Sequence, residues 1–331
     1  AVLAHRVFLL LLAARSRSAP APLANGEAES LPIYTILVPL YRETAVLPHL
    51  TAALQRLDYP AHLLDIKLLL EENDRDTIMA ARAANLPASF QIVVVPDGHP
   101  KGKPRACNYG LGLARGEYAV IYDAEDAPDP DQLRVALAAF RHGGPRLGCV
   151  QAQLRFYNPD QNQLTRWFTS EYAQWFNGML PGLVRTNAPV PLGGTSNHFP
   201  TAVLRELGAW DPYNVTEDAD LGIRLHAHGY RTDVIASTTL EEANPDVGNW
   251  IRQRSRWTKG YIQTWLVHMR TPRTLCRRLG VRGFASFHLT IAGAFLTQLM
   301  NPLFWSLTIL WYATHWSFLQ AIFSGFWFYL A

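Results

Sequence analysis

The fold is decided by the stretch Tyr118-Ala119-Val120-Ile121-Tyr122-Asp123-Ala124-Glu125-Asp126. Its first five residues are apolar or aromatic, and carboxylates follow at once. A short apolar run bounded by polar residues is typical of a strand that is buried on both faces of a parallel sheet. Ligands of open α/β sheets bind at the carboxyl ends of such strands. The stretch therefore predicts an α/β fold with an acidic site at this strand end.

Three further apolar runs precede this stretch and alternate with helical patterns. Strands are predicted over 33–39, 66–70 and 92–95, and helices over 44–57, 74–85 and 103–115. Alternation of this kind predicts a doubly wound, mostly parallel sheet with helices. The run Glu71-Glu72-Asn73-Asp74 follows the second strand, so its acids are expected at the same edge of the sheet as Asp123.

The chain of 331 residues is long enough for one large domain and a membrane part. It begins with Ala1 and ends inside an apolar stretch, and we interpret it as a fragment. Residues 1–17 are interpreted as the end of a truncated transmembrane helix, because their apolar run is shorter than the ~20 residues of a span. The remaining divisions are predicted as a linker over 18–31, an α/β domain with juxtamembrane helices over 32–282, and a truncated transmembrane region over 283–331.

The charge is unevenly distributed along the chain. A net charge of +3 and the lack of a dense basic arm argue against nucleic acid as a partner. Nine Lys or Arg and no Asp or Glu lie between Ile251 and Arg282, and no charged residue occurs from Phe284 onward. A basic flank before an apolar run predicts a cytoplasmic domain beside the bilayer. The uncharged region fits one complete span and a truncated second, or an interfacial helix and one span.

Several other classes of protein are disfavoured by missing motifs. Cys107, Cys149 and Cys276 are widely spaced and match no zinc or disulfide framework, which indicates a reducing compartment. The patterns G-x-S-x-G, H-E-x-x-H and Walker A do not occur. Hydrolases with a nucleophile elbow, zinc proteases and P-loop proteins are therefore disfavoured.

Asp123 and Glu125 are two residues apart at a predicted strand end, so both carboxylates can share one hard divalent cation. Mg²⁺ or Mn²⁺ takes such oxygen ligands and usually keeps substrate phosphates in its shell. The alternative is a turn that only caps the next helix, which accounts for Asp129 but does not require acids at 123 and 125.

Lys103 belongs to a basic segment, Lys101 to Arg105, that precedes a predicted helix. Cations at a helix start form an anion site, which predicts contact with a diphosphate or nucleotide. A solvated basic loop is the alternative.

Asp218 follows Thr216 and Glu217 at the start of another predicted helix. It fits either an N-cap or a carboxylate that takes a proton from an incoming hydroxyl. Together with Asp123, the second interpretation is favoured.

Gln253, Arg256 and Trp257 recur at helical spacing, so one helix face presents an amide, a guanidinium and an indole, while Arg254 points elsewhere. Guanidinium suits a diphosphate and indole suits the apolar face of a sugar. An amphipathic helix at the membrane interface is the alternative. His198 lies in a predicted polar loop, which either lines an acceptor groove or is a plain loop.

These motifs together resemble family-2 glycosyltransferases of the processive, cellulose-synthase-like kind: the D-x-D-like Asp123/Glu125, Thr216-Glu217-Asp218, and Gln253-Arg254-Ser255-Arg256-Trp257. The resemblance implies a GT-A fold on the cytoplasmic side of a multi-pass membrane protein, with the bacterial inner membrane as the expected location. It also implies a nucleotide-sugar donor, expected to be a UDP-sugar, inversion at the anomeric carbon, and a growing polysaccharide as the glycan acceptor.

The resemblance also assigns roles to individual residues. Asp218 would be the base, Asp123 and Glu125 would hold Mg²⁺ or Mn²⁺, and Trp257 would stack under the acceptor sugar. The further donor-binding residues would be Glu72, Asp74, Lys103, Asp123, Gln253, Arg254 and Arg256, and Thr216 and Glu217 would lie on the acceptor side.

The resemblance has two departures and two rivals. Glu71-Glu72-Asn73-Asp74 stands where the family has an Asp pair for the nucleotide base, and Glu125 stands for the usual second Asp of D-x-D. The partners implied are the donor, the glycan acceptor, the lipid bilayer and subunits of exopolysaccharide export. The rivals are a non-processive transferase that acts on a lipid carrier, and an inactive transferase-fold membrane receptor or assembly protein.

Overall fold

The structure is a computed structural model that describes residues 1–14 and 31–314. Most of the predicted linker and the end of the predicted membrane region, residues 315–331, lie outside the described residues.

Eight strands and twelve α-helices are found in the described ranges. The strands are β1 (Tyr34–Leu40), β2 (Leu64–Glu71), β3 (Phe90–Val95), β4 (Tyr118–Ile121), β5 (Ala127–Pro128), β6 (Leu147–Phe156), β7 (Asn197–Pro200) and β8 (Arg231–Glu241). The helices are α1 (Val2–Ala14), α2 (Leu47–Gln55), α3 (Arg75–Ala83), α4 (Lys103–Gly112), α5 (Gln132–Gly143), α6 (Gln163–Gln174), α7 (Leu180–Arg185), α8 (Thr201–Glu206), α9 (Glu217–Ala227), α10 (Val247–His268), α11 (Pro272–Phe287) and α12 (Gly293–Thr314).

The strands form one sheet in the order β3-β2-β1-β4-β7-β6-β8-β5. The first four are parallel to one another, which confirms the predicted α/β sheet. β7 is antiparallel to both β4 and β6, and β8 is parallel to β6. Since β7 runs opposite to both β4 and β6, β6 runs in the same direction as β4, and so does β8. The carboxyl ends of β4, β6 and β8 therefore lie at the same edge of the sheet.

The parallel strands are buried on both faces, as their apolar sequences predict. On β1, Ile36 and Val38 pack into one core with Leu68 of β2, whereas Leu37 packs into the opposite core with Leu69. Successive side chains of a strand point to opposite faces, so a run without polar residues fills both cores. The sheet is therefore a rigid platform for the residues at its edge.

The interpretation of residues 193–198 as a flexible polar loop is wrong for His198, which lies in β7 and is fully buried. Its Nδ1 is 2.7 Å from the hydroxyl of Tyr34, and its Nε2 is 3.3 Å from Oε1 of Gln132. Burial lowers the pKa of His198 to about 3. The neutral ring is a core group that pairs β7 with its neighbours, so it does not line an acceptor groove.

α10 holds the segment that leads into α9. Asn214 donates to the hydroxyl of Thr264 at 2.8 Å, and Gln263 donates to the carbonyl of Tyr213 at 2.7 Å. The backbone of Gly260 lies so close to Thr216 that an added Cβ would stand 2.4 Å from its methyl group. The start of α9 is consequently fixed by the face of α10.

One helical run among the described residues, Pro272–Thr314, is long and apolar enough to cross a membrane by length and composition. It comprises α11, a π-helical turn over His288–Ala292, and α12. The shorter apolar helix α1 packs on α7 through Gly182, whose Cα lies against the backbone of Leu9.

Candidate active site

Lys103 and Asp123 meet at the carboxyl edge of the sheet. Lys103 is the first residue of α4, and Asp123 follows β4. The Lys103 ammonium donates to Asp123 Oδ1 at 2.5 Å and to the carbonyl of Gly194 at 2.6 Å. Burial disfavours the ammonium charge, but Asp123 and Glu217 outweigh this effect and raise the pKa of Lys103. A fixed cation therefore stands beside the first acid of the predicted metal pair.

Asp218 reaches the same place from the start of α9. A Cβ built on Gly194 would lie 3.5 Å from Asp218 Oδ2 and 4.0 Å from the ammonium of Lys103. The acid and the cation thus both lie within contact distance of the Cβ position of Gly194, where glycine has no side chain. Asp218 is the second residue of α9, and Thr216 occupies the N-cap position, so Asp218 is not the N-cap. Its other oxygen, Oδ1, accepts from the amide of Ala219 at 2.7 Å.

The pKa values of Asp218 and its neighbour Glu217 are raised to different levels. Burial raises the pKa of Asp218 to about 6, while the Ala219 amide and Lys103 act in the opposite direction. Burial, followed by the charge of Asp218, raises the pKa of Glu217 to about 8. The pair titrates as a unit. The two carboxyl groups together therefore keep a proton to a higher pH than two isolated acids would.

The loop after β4 is shaped by a buried carboxylate, Asp126. It accepts from the amide of Asp123 at 2.7 Å and also from the hydroxyl of Thr195. Thr195 donates as well to the carbonyl of Ile121, at 3.1 Å. These bonds close a tight turn that directs Asp123 and Glu125 toward the crevice.

A concentration of acids surrounds this loop. Burial, and then the charge of Asp123, raises the pKa of Asp126 well above its ordinary value. Burial, and then Asp126 and Asp123, does the same for Glu241 at the end of β8. Glu125 is exposed by its surface area, and desolvation, followed by the charge of Asp123, raises its pKa. Like charges held this close favour the entry of a cation.

These acids fit a hard divalent cation. Oδ1 of Asp126 and Oε1 of Glu241 are buried without a hydrogen-bond partner in the described structure. Carboxylate oxygens are the ligands preferred by Mg²⁺ and Mn²⁺. Within residues 1–14 and 31–314, however, no group of three or more His, Cys, Asp or Glu is arranged to hold a metal. A cation at Asp123 and Glu125 would thus complete its shell with oxygens of a ligand or water.

The two acids predicted to contact the nucleotide base lie at the end of β2. Glu72 is exposed and accepts from the amide of Asp97 at 2.9 Å. Asp74 is buried, caps α3 and accepts from the amides of Arg42 and Thr77 at 2.5 and 3.4 Å. Burial raises its pKa, but these hydrogen bonds prevail, and the pKa lies below its ordinary value.

The residues of Gln253 to Trp257 lie on α10 in different settings. Arg254 makes two hydrogen bonds of 2.5 Å to Glu171 of α6, and its guanidinium lies 4.7 Å from the ring centre of Trp257. Arg256 is exposed, and Oε1 of Gln253 is buried without a partner in the described structure. Arg254 thus binds α6 to α10, whereas Arg256 remains accessible.

Sequence reasoning missed Glu241 and the buried role of Asp126. Glu241 follows no motif, and it reaches the neighbourhood of Asp123 only because β8 pairs with β6 near both of its ends, with an irregularity between them. Asp126 was visible as a third acid after β4, but its hydrogen bonds to Asp123 and Thr195 depend on a contact between distant segments. The mixed polar sequence of β8 carries no signal for such an acid.

Comparisons with known proteins identify the family of the chain. The family model described as "Glycosyl transferase family group 2" matches residues 118–329, and the model "Glycosyl transferase family 2" matches residues 35–196. The first covers more than half of the chain, and the chain belongs to glycosyl transferase family group 2.

Individual relatives show the same class. The chain is 27% identical over 267 residues to a beta-monoglucosyldiacylglycerol synthase of Synechocystis, which covers 79% of this chain and 55% of the relative. It is 26% identical over 243 residues to glucomannan 4-beta-mannosyltransferase 2 of Arabidopsis thaliana, covering 70% and 45%. The chain spans about half the length of the curated relatives it matches.

The fold agrees with a solved GT-A enzyme. The mannosyltransferase PcManGT from Pyrobaculum calidifontis, solved with GDP-Man and Mn²⁺, superposes with a TM-score of 0.70 at 19% identity. The match covers 98% of this chain and 87% of that chain. This likeness establishes the GT-A fold that the sequence predicted.

Proposed function

We propose that the protein is a metal-dependent inverting glycosyltransferase embedded in a membrane, with Asp218 as the base. It moves a sugar from a nucleoside-diphosphate donor, expected to be a UDP-sugar, to the growing end of a polysaccharide. One observation carries the proposal: Asp218 and the ammonium of the Lys103–Asp123 ion pair both lie within 4.0 Å of the Cβ position of Gly194, so the acid and the cation stand at the same point of the sheet edge. A donor whose diphosphate lies at Lys103 would present its sugar to Asp218.

The proposed reaction assigns a separate task to each residue. Asp218 accepts the proton of the acceptor hydroxyl as that oxygen forms a bond to the anomeric carbon. The bond from this carbon to the diphosphate breaks, and the departing diphosphate takes the electron pair. The Lys103 ammonium stabilises the charge that develops there. Attack from the side opposite the leaving group inverts the anomeric centre.

The proposed metal residues are Asp123 and Glu125, with Asp126 holding their loop. A bound Mg²⁺ or Mn²⁺ would neutralise the leaving diphosphate as a Lewis acid. The unpartnered oxygens of Asp126 and Glu241 and the mutual repulsion of the acids support this assignment. The complex of PcManGT with GDP-Man and Mn²⁺ is consistent with it.

The proposed donor and acceptor contacts outside this centre involve α10 and the loop after β2. Gln253 and Arg256 on α10, with Glu72 and Asp74, would extend the donor site, and Arg254 would support it by bracing α10. Thr216, Glu217 and Trp257 would lie on the acceptor side. Trp257 is half-buried, with Arg254 against its ring.

A lipid carrier is a second candidate acceptor, and a specific observation favours it. An open cavity of about 510 Å³ lies between α10 and α12, lined by residues that include Trp250, Ile251, Ile262 and Lys259. This mixture of apolar side chains and a cation suits a lipid with an anionic or polar head. One relative is named for a diacylglycerol lipid and another for a glucomannan, so the relatives' names support both acceptors.

The experiment that tests the proposal measures nucleoside diphosphate release from a panel of UDP- and GDP-sugars, using the protein in membranes. We expect turnover of one donor that stops with EDTA and returns with Mg²⁺ or Mn²⁺. A long product would support the polysaccharide acceptor, and a short lipid-linked product the lipid carrier. Turnover that persists in EDTA would contradict the metal assignment, and folded protein without any turnover would favour an inactive receptor.

A further inference from the structure

A basic cavity lies at the edge of the sheet opposite the catalytic centre. Its volume is about 740 Å³, within the range of small-molecule sites. The cationic side chains that line it are Arg146, Arg231, Arg277 and Arg278, with His226 beside them. Among the described residues that line it, none is an Asp or a Glu.

The topology of the sheet separates this cavity from the donor site. β6 and β8 begin at the cavity, where Leu147 pairs with Arg231 and the amide of Arg231 donates to the carbonyl of Arg146 at 2.7 Å. The opposite end of β8 is Glu241, near Asp123. Eleven residues of strand span about 35 Å. The cavity is too distant to bind the same donor molecule as Lys103.

Three of the four arginines carry charge without a counter-ion from the described part of the chain. Arg146, Arg277 and Arg278 are exposed, and no ion pair in residues 1–14 and 31–314 includes them. Arg231 donates to the carbonyl of Gly143 at 2.8 Å, which orients its guanidinium. Guanidinium groups bind phosphate oxygens in bidentate geometry. The cavity is thus built for an anion rather than for a neutral sugar.

The position of Arg277 and Arg278 connects the cavity with the apolar run. Both lie in α11, and Gly280, two residues after Arg278, interrupts the helix with a φ of +69°. Both belong to the first turns of the run Pro272–Thr314, which is long and apolar enough to cross a membrane. Arginines at the charged end of such a run lie where they can meet the phosphate layer of a bilayer.

We propose that this cavity binds a phosphate monoester or diester through Arg146, Arg231, Arg277 and Arg278. The inference does not depend on the proposed transfer reaction. Two sources carry this chemistry: the headgroup of an anionic phospholipid and a soluble phosphate compound. The experiment below distinguishes them.

The test compares the full chain with two exposed double variants. The variant Arg277→Gln/Arg278→Gln removes two charges from the cavity. The matched control, Arg273→Gln/Arg282→Gln, removes two charges from the same helix at exposed positions that do not line the cavity. Binding is measured by calorimetry on the detergent-solubilised protein, with short-chain phosphatidylglycerol or phosphatidylcholine and with inorganic phosphate and diphosphate. EDTA is present throughout, so that diphosphate is not held at Asp123 by a metal.

We expect the cavity variant to bind about tenfold or more weakly, and the control to change by less than about threefold. A loss seen only with phosphatidylglycerol assigns the site to a lipid headgroup, and a loss also seen with the soluble anions assigns it to a soluble phosphate. Equal losses in both variants would mean diffuse attraction to the helix, which overturns the proposal. The proposal is equally overturned if neither variant loses binding.

Discussion

Replacing Asp218 by Asn tests the base directly, because the change keeps the shape of the side chain and removes its proton-accepting oxygen. General-base catalysis contributes a factor of about 10² to 10⁴ to the rate. We expect nucleoside diphosphate release by Asp218→Asn to fall by this factor. The amide oxygen of Asn can still accept from Ala219, so the start of α9 is expected to remain folded.

The pH profile of the unmodified protein gives an independent measure of the same group. Burial raises the pKa of Asp218 to about 6, and only the ionised carboxylate accepts a proton. The rate is therefore expected to be lost as the pH falls through about 6, with a tenfold decrease for each further pH unit. A rate that is flat between about pH 5 and 7 would refute the assignment.

Stability measurements separate catalysis from folding. Because the pKa of Asp218 is raised in the folded state, keeping this carboxyl ionised costs folding free energy at any pH above its unfolded pKa. Asp218→Asn removes the charge, so we expect no loss of stability at neutral pH. Asp160→Asn is the matched control, since Asp160 is exposed and pairs only loosely with Arg166 at 3.4 Å. If Asp218→Asn were folded and within about threefold of normal activity, the base would have to be another residue.

Three further predictions concern the support of this centre. Lys103→Met removes the ammonium that lies between Asp123 and Gly194, and we expect the KM for the donor to rise about tenfold or more. The control Lys101→Met removes an exposed ion pair with Asp97 and should leave this KM unchanged. Gly260→Ala places a Cβ 2.4 Å from the methyl group of Thr216, and we expect the free energy of unfolding, measured with denaturant, to fall by about 1–3 kcal/mol. The control Gly112→Ala has nothing within 4 Å of the new Cβ and should not lower it. Arg254→Lys keeps the charge but loses the paired hydrogen bonds to Glu171, and we expect the free energy of unfolding to fall by about 1 kcal/mol. The control Arg256→Lys, at an exposed position, should not change it.

The sequence predicted the parallel half of the sheet because its strands are apolar on both faces. Runs such as Tyr34–Leu40 leave no polar face for solvent, and helical patterns separate them, so both strand type and order could be inferred. The other half was not visible in this way. β7 has four residues, two of them Asn197 and His198, and its place in the sheet depends on Tyr34 and Gln132, which are far away in the chain.

The same distinction applies to the site. Asp123, Lys103 and Asp218 each stand at an end of a predicted strand or helix, where charged residues are accounted for by function more readily than by packing. Glu241 is also at a strand end, but the polar pattern of β8 hides that end from periodicity. The partner of Arg254 could not be inferred either, because α6 and α10 are separated by more than seventy residues and no local rule pairs them.

The contact of α10 with the segment before α9 limits how the enzyme can be recombined with its relatives. Gly260, Gln263 and Thr264 hold Tyr213, Asn214 and Thr216, and His268 is 2.9 Å from Asp220. A chimaera that exchanges α10 alone would place foreign side chains against an unmatched segment and displace Asp218. Residues 213–220 and 247–268 form one packing unit, and we expect a chimaera to fold correctly at this place only when both are exchanged together.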